Sequence, residues 1–221
     1  TYYTYYLNNG EKISCNEKDY KSEIVKKGDK KIFYIIIKTP NGVKKFADDE
    51  VNFQVSKKYF GHKLAYRSMY FYKKIDGYDK DRWDIILKTK NYFLAYMPKK
   101  STDYADGATE VSRERIYFIF DMEKNVLATI EDKKGAEKYF TEYFPNLTNW
   151  HAYLKSINYD ISLANWSIVD LASEILAPKN YKSDPVVDNQ YYSHSLGTKM
   201  KIKKMVKEVK AFAPAESPVS E

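Results

Sequence analysis

Arg115-Ile-Tyr-Phe-Ile-Phe120, Asp121-Met-Glu-Lys-Asn125 and Val126-Leu-Ala-Thr-Ile130 read as strand, turn and strand. The two flanks are rich in β-branched and aromatic residues, and the five residues between them carry the Asp and Asn that tight turns favour. This is the clearest hairpin in the chain, and it makes antiparallel pairing the organising principle of what precedes it. Upstream, residues 81–97 fit a helix capped by Asp81, but Ile85-Ile86-Leu87 and Tyr92-Phe93-Leu94 fit two strands, and the strand reading is taken. Between them and the hairpin, Lys99 to Ser112 lacks apolar periodicity, so a long surface loop is expected there.

Towards the N-terminus the pattern repeats. Tyr2 to Leu7 and Lys12 to Cys15 flank Asn8-Asn9-Gly10, a hairpin signal, and Lys31 to Lys38 and Val43 to Phe46 flank Pro40-Asn41-Gly42. Asn16 is placed to cap a helix running to Lys27, with Tyr20 and Ile24 on one face and Gly28 as its stop. Residues 1–47 therefore predict a ββαββ subunit. Val51, Phe53 and Val55 alternate, as do Leu64, Tyr66, Ser68, Tyr70 and Tyr72, which predicts two more strands meeting near Gly61.

Beyond the hairpin the period changes. Asp132 can cap a helix whose Ala136, Tyr139, Phe140 and Tyr143 share a face before Pro145, and Trp150–Ile157 and Leu163–Leu176 follow at helical spacing. Trp166 projects off the apolar stripe of the last of these and is a candidate partner contact. A helix over Thr198–Phe212 gathers Ile202, Met205, Val206, Val209 and Phe212 on one side and presents Lys201, Lys203, Lys204, Lys207 and Lys210 on the other. The expected class is α+β, mostly antiparallel strands in the N-terminal 130 residues and helices in the C-terminal part. Residues 1–212 are read as one domain and 213–221 as a Pro/Ser/Ala tail, the helix before it hinging a tail that reaches a partner.

The composition has 22 Tyr and a net charge of +7. Lys, Asn, Tyr, Ile and Phe have codons rich in A and T, so an AT-rich genome accounts for much of this usage. Charge placement is more informative: residues 51–100 hold twelve Lys/Arg against four Asp/Glu, and residues 101–150 hold six against ten. No apolar run is long enough for a membrane span, and no signal peptide is expected from the N-terminal residues. Cys15, the single cysteine, rules out an internal disulfide framework and fits synthesis in a reducing cytoplasm, with a virion as a further location.

The sequence carries no recognisable catalytic or metal-binding set and implies no cofactor. His62, His151 and His194 are scattered, no glycine-rich phosphate loop is present, and Cys15 has no identifiable base. Asp121 with Glu131-Asp132-Lys133 has the residue types of a metal-dependent nuclease, but the hairpin puts about 17 Å between Asp121 and Glu131 at ~3.4 Å per residue. What remains is a basic, aromatic stretch. Lys57, Lys58, Lys63, Tyr66, Arg67, Tyr70, Tyr72, Lys73 and Lys74 are candidate contacts to nucleic acid or to a protein partner, with Tyr66, Tyr70 and Tyr72 on one strand face. The expectation is a non-enzymatic structural or assembly protein of a phage or virus particle, acting through other protein subunits of an assembly. The first alternative is a basic accessory protein that binds DNA or RNA, and the second is a nuclease.

Overall fold

The computed structural model describes residues 1–78, 82–105, 108–131, 133–144, 184–187, 191–192, 207 and 211. The described chain divides into two compact units, one holding Thr1–Ile86 with Ala95–Met97, the other holding Leu87–Leu94 and the described residues from Pro98 to Tyr192.

In the first unit, β1 (Tyr2–Leu7) pairs with β2 (Lys12–Asn16) as the Asn-Gly signal requires, and β1 also pairs antiparallel with β6 (Val51–Phe60). Next comes β7 (Lys63–Tyr72), then β8 (Arg82–Lys88), so the sheet runs β2-β1-β6-β7-β8. A second, three-stranded sheet contains β3 (Tyr20–Lys27), β4 (Lys30–Thr39) and β5 (Gly42–Ala47) in that order. The two sheets share an apolar core. Tyr5, Leu7, Ile13 and Cys15 from the first meet Ile35, Ile37 and Phe46 from the second, with the Tyr5 and Phe46 rings 5.4 Å apart, edge to face. The other face of the large sheet is also buried: Phe53, Val55, Met69, Phe71, Trp83 and Ile85 lie on it, and Phe71 stacks with Trp83 at 6.5 Å.

The expected helix over 16–27 is a strand, so the ββαββ subunit does not form. Asn16 does cap, but only a single 3-10 turn at Glu17–Asp19, through Lys18 N donating to Asn16 Oδ1 at 3.3 Å. Tyr20 and Ile24, four residues apart, satisfy a helical face and a strand face equally, and pairing with the Ile-rich β4 decides between them. Gly28, expected to stop the helix, instead begins a two-residue hairpin loop between Lys27 and Lys30, where its φ of 60° is what such a turn demands.

In the second unit, β9 (Tyr92–Ala105), β10 (Ala108–Asp121) and β11 (Val126–Ile130) are successive neighbours. The surface loop expected over 99–112 is thus mostly strand. Its sequence has no apolar period, but Thr102, Tyr104, Thr109 and Val111 favour extended backbone, and ladder hydrogen bonds do not require an apolar face. The 115–130 hairpin forms as read, with Lys124 at φ 66° in its turn. Helix α1 (Lys133–Tyr143) packs on β11 through buried Ala136 and Phe140, with Tyr139 and Tyr143 half-buried beside them. Tyr143 meets Tyr92 edge to face at 5.2 Å. The short β12 (Tyr191–Tyr192) pairs with Leu87 and Lys88 at the end of β8.

The described part of the protein is mostly antiparallel β, with one short α-helix; Lys207 and Ala211 are also helical and exposed. The expected helices over 150–157 and 163–176, and the rest of the one over 198–212, lie outside the described residues.

Candidate binding cleft

Strand alternation puts hydroxyl-bearing and amide side chains of the large sheet on the side that faces β3 and β4. Pairing sets them in rows: Tyr3, Ser56 and Ser68 lie side by side across β1, β6 and β7, and Tyr5, Gln54, Tyr70 and Asp84 form the next row. Lys58 pairs with Tyr66 one step further out, and Tyr72 with Arg82 at the opposite end. Tyr20 and Ile24 from β3, with Lys31 and Phe33 from β4, close the other side. Between the sheets lies a cleft of about 710 Å³, inside the roughly 300–1,000 Å³ range of small-ligand sites.

The floor is polar and buried, whereas the rim is charged and exposed. Gln54, Ser56 and Ser68 are 7%, 6% and 4% exposed. Gln54 Oε1 accepts a hydrogen bond from the Tyr72 hydroxyl at 2.8 Å. Ser68 Oγ is buried and makes no hydrogen bond of normal geometry, although it stands close enough to Tyr70 to affect that phenol's ionisation. At the rim, Lys31, Lys58 and Arg82 are exposed, and Asp48 is the acidic residue among the lining side chains, so the lining carries net positive charge. The Arg82 guanidinium lies over the Tyr70 ring at 4.6 Å, a cation–π contact that holds both groups in place. Burial raises the hydroxyls of Tyr3, Tyr5 and Tyr70 above the ordinary phenol range, so these tyrosines are neutral at physiological pH. The cleft therefore offers aromatic rings, neutral hydroxyls and rim cations.

Of the contact residues expected from sequence, Lys58, Tyr66, Tyr70 and Tyr72 come together in this cleft. Lys57 pairs with Arg67 on the opposite face, where Arg67 is buried. Lys63 begins β7, and Lys73 and Lys74 follow its end, the Lys73 carbonyl accepting from Trp83 Nε1 at 3.0 Å. Lys207 is exposed; Trp166, Lys201, Lys203, Lys204 and Lys210 lie outside the described residues. Sequence reasoning missed Tyr3, Tyr5, Gln54, Ser56 and Ser68 on the large sheet. The alternation of β1 and β6 marks these residues once register is known. It also missed Tyr20 and Phe33, the first hidden by the helix reading of 16–27.

Residues expected to be chemically inert are engaged structurally. Asp121 Oδ1 accepts from Glu123 N at 2.9 Å and from Asn125 N at 2.8 Å, and Oδ2 accepts from Asn125 Nδ2 at 2.9 Å, which commits the carboxylate to its turn. Cys15 is buried and its thiol is pushed up to about 11. Among the described residues no group of three or more His, Cys, Asp or Glu is placed to hold a metal ion, and no helix is long and apolar enough to cross a membrane. Compared with protein-family models, curated proteins and solved structures, the chain matches none.

Proposed function

We propose that this protein is a non-enzymatic binding module for single-stranded nucleic acid, and that it works through the tyrosine-lined cleft. The observation that carries the reading is the face of β7, where Tyr66, Ser68 and Tyr70 project into a space rimmed by Lys31, Lys58 and Arg82. Aromatic rings accept bases of any identity by stacking, while rim cations meet phosphates, and that combination is how single strands are held without sequence readout. A duplex does not suit the cleft, since its bases are already stacked and its surface is backbone.

Fluorescence anisotropy with labelled single-stranded DNA and RNA across a salt series tests this. Three rim cations predict a slope of log affinity against log salt of about −2, at roughly −0.7 per neutralised phosphate. Absence of binding at low salt overturns the reading.

A second reading, a structural or assembly protein of a phage or virus particle acting through protein contacts, is favoured by the tip of the β6–β7 hairpin. There Phe60 is 85% exposed and Tyr59 is 43% exposed, with Tyr59 packed edge to face on Tyr2 at 5.9 Å. An exposed aromatic cluster of this kind is a contact anchor. Light scattering coupled to size exclusion tests it, an oligomer lost in Phe60→Ser being the expected result and a monomer at all concentrations, with no co-purifying protein, the opposing one.

A further inference from the structure

The cleft's polar groups are graded with depth, and this gives a direction to whatever enters it. Building on the nucleic-acid reading above, we infer that the cleft holds one nucleotide unit with its ring inward against Ser68 and its phosphate outward among Lys31, Lys58 and Arg82.

Ser68 motivates the inward end. Its Oγ is buried at the cleft floor with no hydrogen bond of normal geometry, in a residue 4% exposed. Leaving a buried hydroxyl unpaired costs about 1–3 kcal/mol, which a ligand atom bonding to it recovers. A hydroxyl both donates and accepts, so it matches the ring nitrogens and exocyclic groups of any nucleobase. Ser56, its cross-strand neighbour, and Gln54 in the next row put further polar groups beside it at the same depth.

The walls and rim supply the rest. Tyr3, Phe33 and Tyr70 flank the floor with rings, and because burial keeps the phenols neutral they present no charge to repel a phosphate. The cations are on the exposed margin, where a phosphate keeps part of its hydration while its charge is met. An inverted ligand, phosphate inward, would bring an anion to a floor without cations and strand the ring outside. The same chemistry comes from two sources, a free mononucleotide or the end of a single strand, and the experiment separates them.

The experiment is calorimetric titration of the whole chain with adenosine 5′-monophosphate, adenosine, ribose 5-phosphate and a ten-nucleotide oligothymidylate. These probes go against wild type, Ser68→Ala, Ser68→Val and Lys58→Gln, with circular dichroism confirming each fold. Wild type is expected to bind the mononucleotide at least tenfold more tightly than adenosine or ribose 5-phosphate. Ser68→Ala is expected to weaken the mononucleotide roughly 3- to 10-fold by loss of one hydrogen bond, and Ser68→Val to abolish it by filling the floor. Lys58→Gln is expected to weaken it severalfold while leaving adenosine unchanged.

Ribose 5-phosphate binding as tightly as the mononucleotide overturns the inference, as does mononucleotide affinity indifferent to both Ser68 variants. If Ser68→Val does not fold, Ser68→Ala decides alone. Oligothymidylate bound equally by wild type and the Ser68 variants, with no mononucleotide binding, overturns the pocket and leaves the nucleic-acid reading standing. Binding of neither probe removes both. Mononucleotide bound with no preference for the oligomer assigns the site to the free ligand; tighter oligomer binding that is lost in Ser68→Val assigns it to a strand end.

Discussion

Replacing Lys88 by methionine changes how stability responds to pH, with a sign fixed by the residue's surroundings. Lys88 ends β8 with 1% exposure. Its Nζ donates to Pro185 O at 3.3 Å and Val186 O at 3.4 Å, and it lies 5.8 Å from the Phe93 ring centroid. Burial pushes the ammonium down from 10.5 to about 8, against the smaller upward pull of Asp184. Between those two values the unfolded chain keeps a proton that the folded chain has released, so raising the pH through that window stabilises the folded state. The full shift sets an upper limit of about 3 kcal/mol.

Below about pH 8 both states are protonated, and the folded state carries the entire cost of the buried charge. Lys88→Met removes that cost together with two long hydrogen bonds worth roughly 1 kcal/mol each, so near neutral pH the variant is expected to lie within about 1–2 kcal/mol of wild type. By pH 10.5 the wild type is expected to have gained about 2–3 kcal/mol relative to the variant.

Urea denaturation of both proteins from pH 7 to 10.5, followed by circular dichroism, measures this, provided the denaturant slopes match. The difference between proteins is the quantity to use. Cys15, pushed up from 9.0 to about 11, lowers stability as pH rises through that range, and the raised tyrosines do so above 10. Those contributions cancel between wild type and variant. A difference curve flat to within about 0.5 kcal/mol refutes the argument that burial disfavours the charged form of Lys88 in the folded state.

Asp121→Ala is expected to cost roughly 1–3 kcal/mol in urea denaturation, because it removes the acceptor of three hydrogen bonds that hold the β10–β11 turn. Asp121→Asn, which keeps one acceptor oxygen, is expected to recover part of this. Cys15 is expected to resist a disulfide reagent at pH 8 in the folded protein and to react with one equivalent in urea, followed by absorbance; rapid labelling without urea contradicts its burial and raised thiol.

Where two signals agreed, the strands were legible. Tyr2–Leu7 and Lys12–Asn16 had alternation and an Asn-Gly turn, and the 115–130 hairpin had β-forming flanks and an Asp/Asn turn. The sequence is ambiguous where a single local signal serves two structures. Asn16 caps a 3-10 turn as well as a helix, and Gly28 ends a helix or starts a hairpin loop; choosing needs β4, which is distant information. The polar ends of β9 and β10, within 99–112, are not legible because apolar alternation does not mark a strand stabilised by its backbone ladder. One wall of the cleft is visible in the sequence, since Tyr66, Tyr70 and Tyr72 share parity on one strand. The rest depends on register between β1, β6 and β7 and on a second sheet closing over them, neither of which local sequence specifies.

An AT-rich composition explains why tyrosines are abundant but not where they lie. On β7, Met69 and Phe71 go to the opposite face with 0% exposure, alongside buried Arg67, while Tyr66, Ser68, Tyr70 and Tyr72 go to the cleft. On β6, Phe53 and Val55 face one way and Gln54, Ser56 and Lys58 the other. Stability alone would fill the space between two sheets with aliphatic side chains, as it does around Ile35, Ile37 and Leu7 at the other end of the same interface. A buried serine whose Oγ makes no hydrogen bond of normal geometry, beside a neutral phenol, weakens that packing rather than strengthening it. In the cleft the departure coincides with the rim cations, which is the combination that binding requires and packing does not.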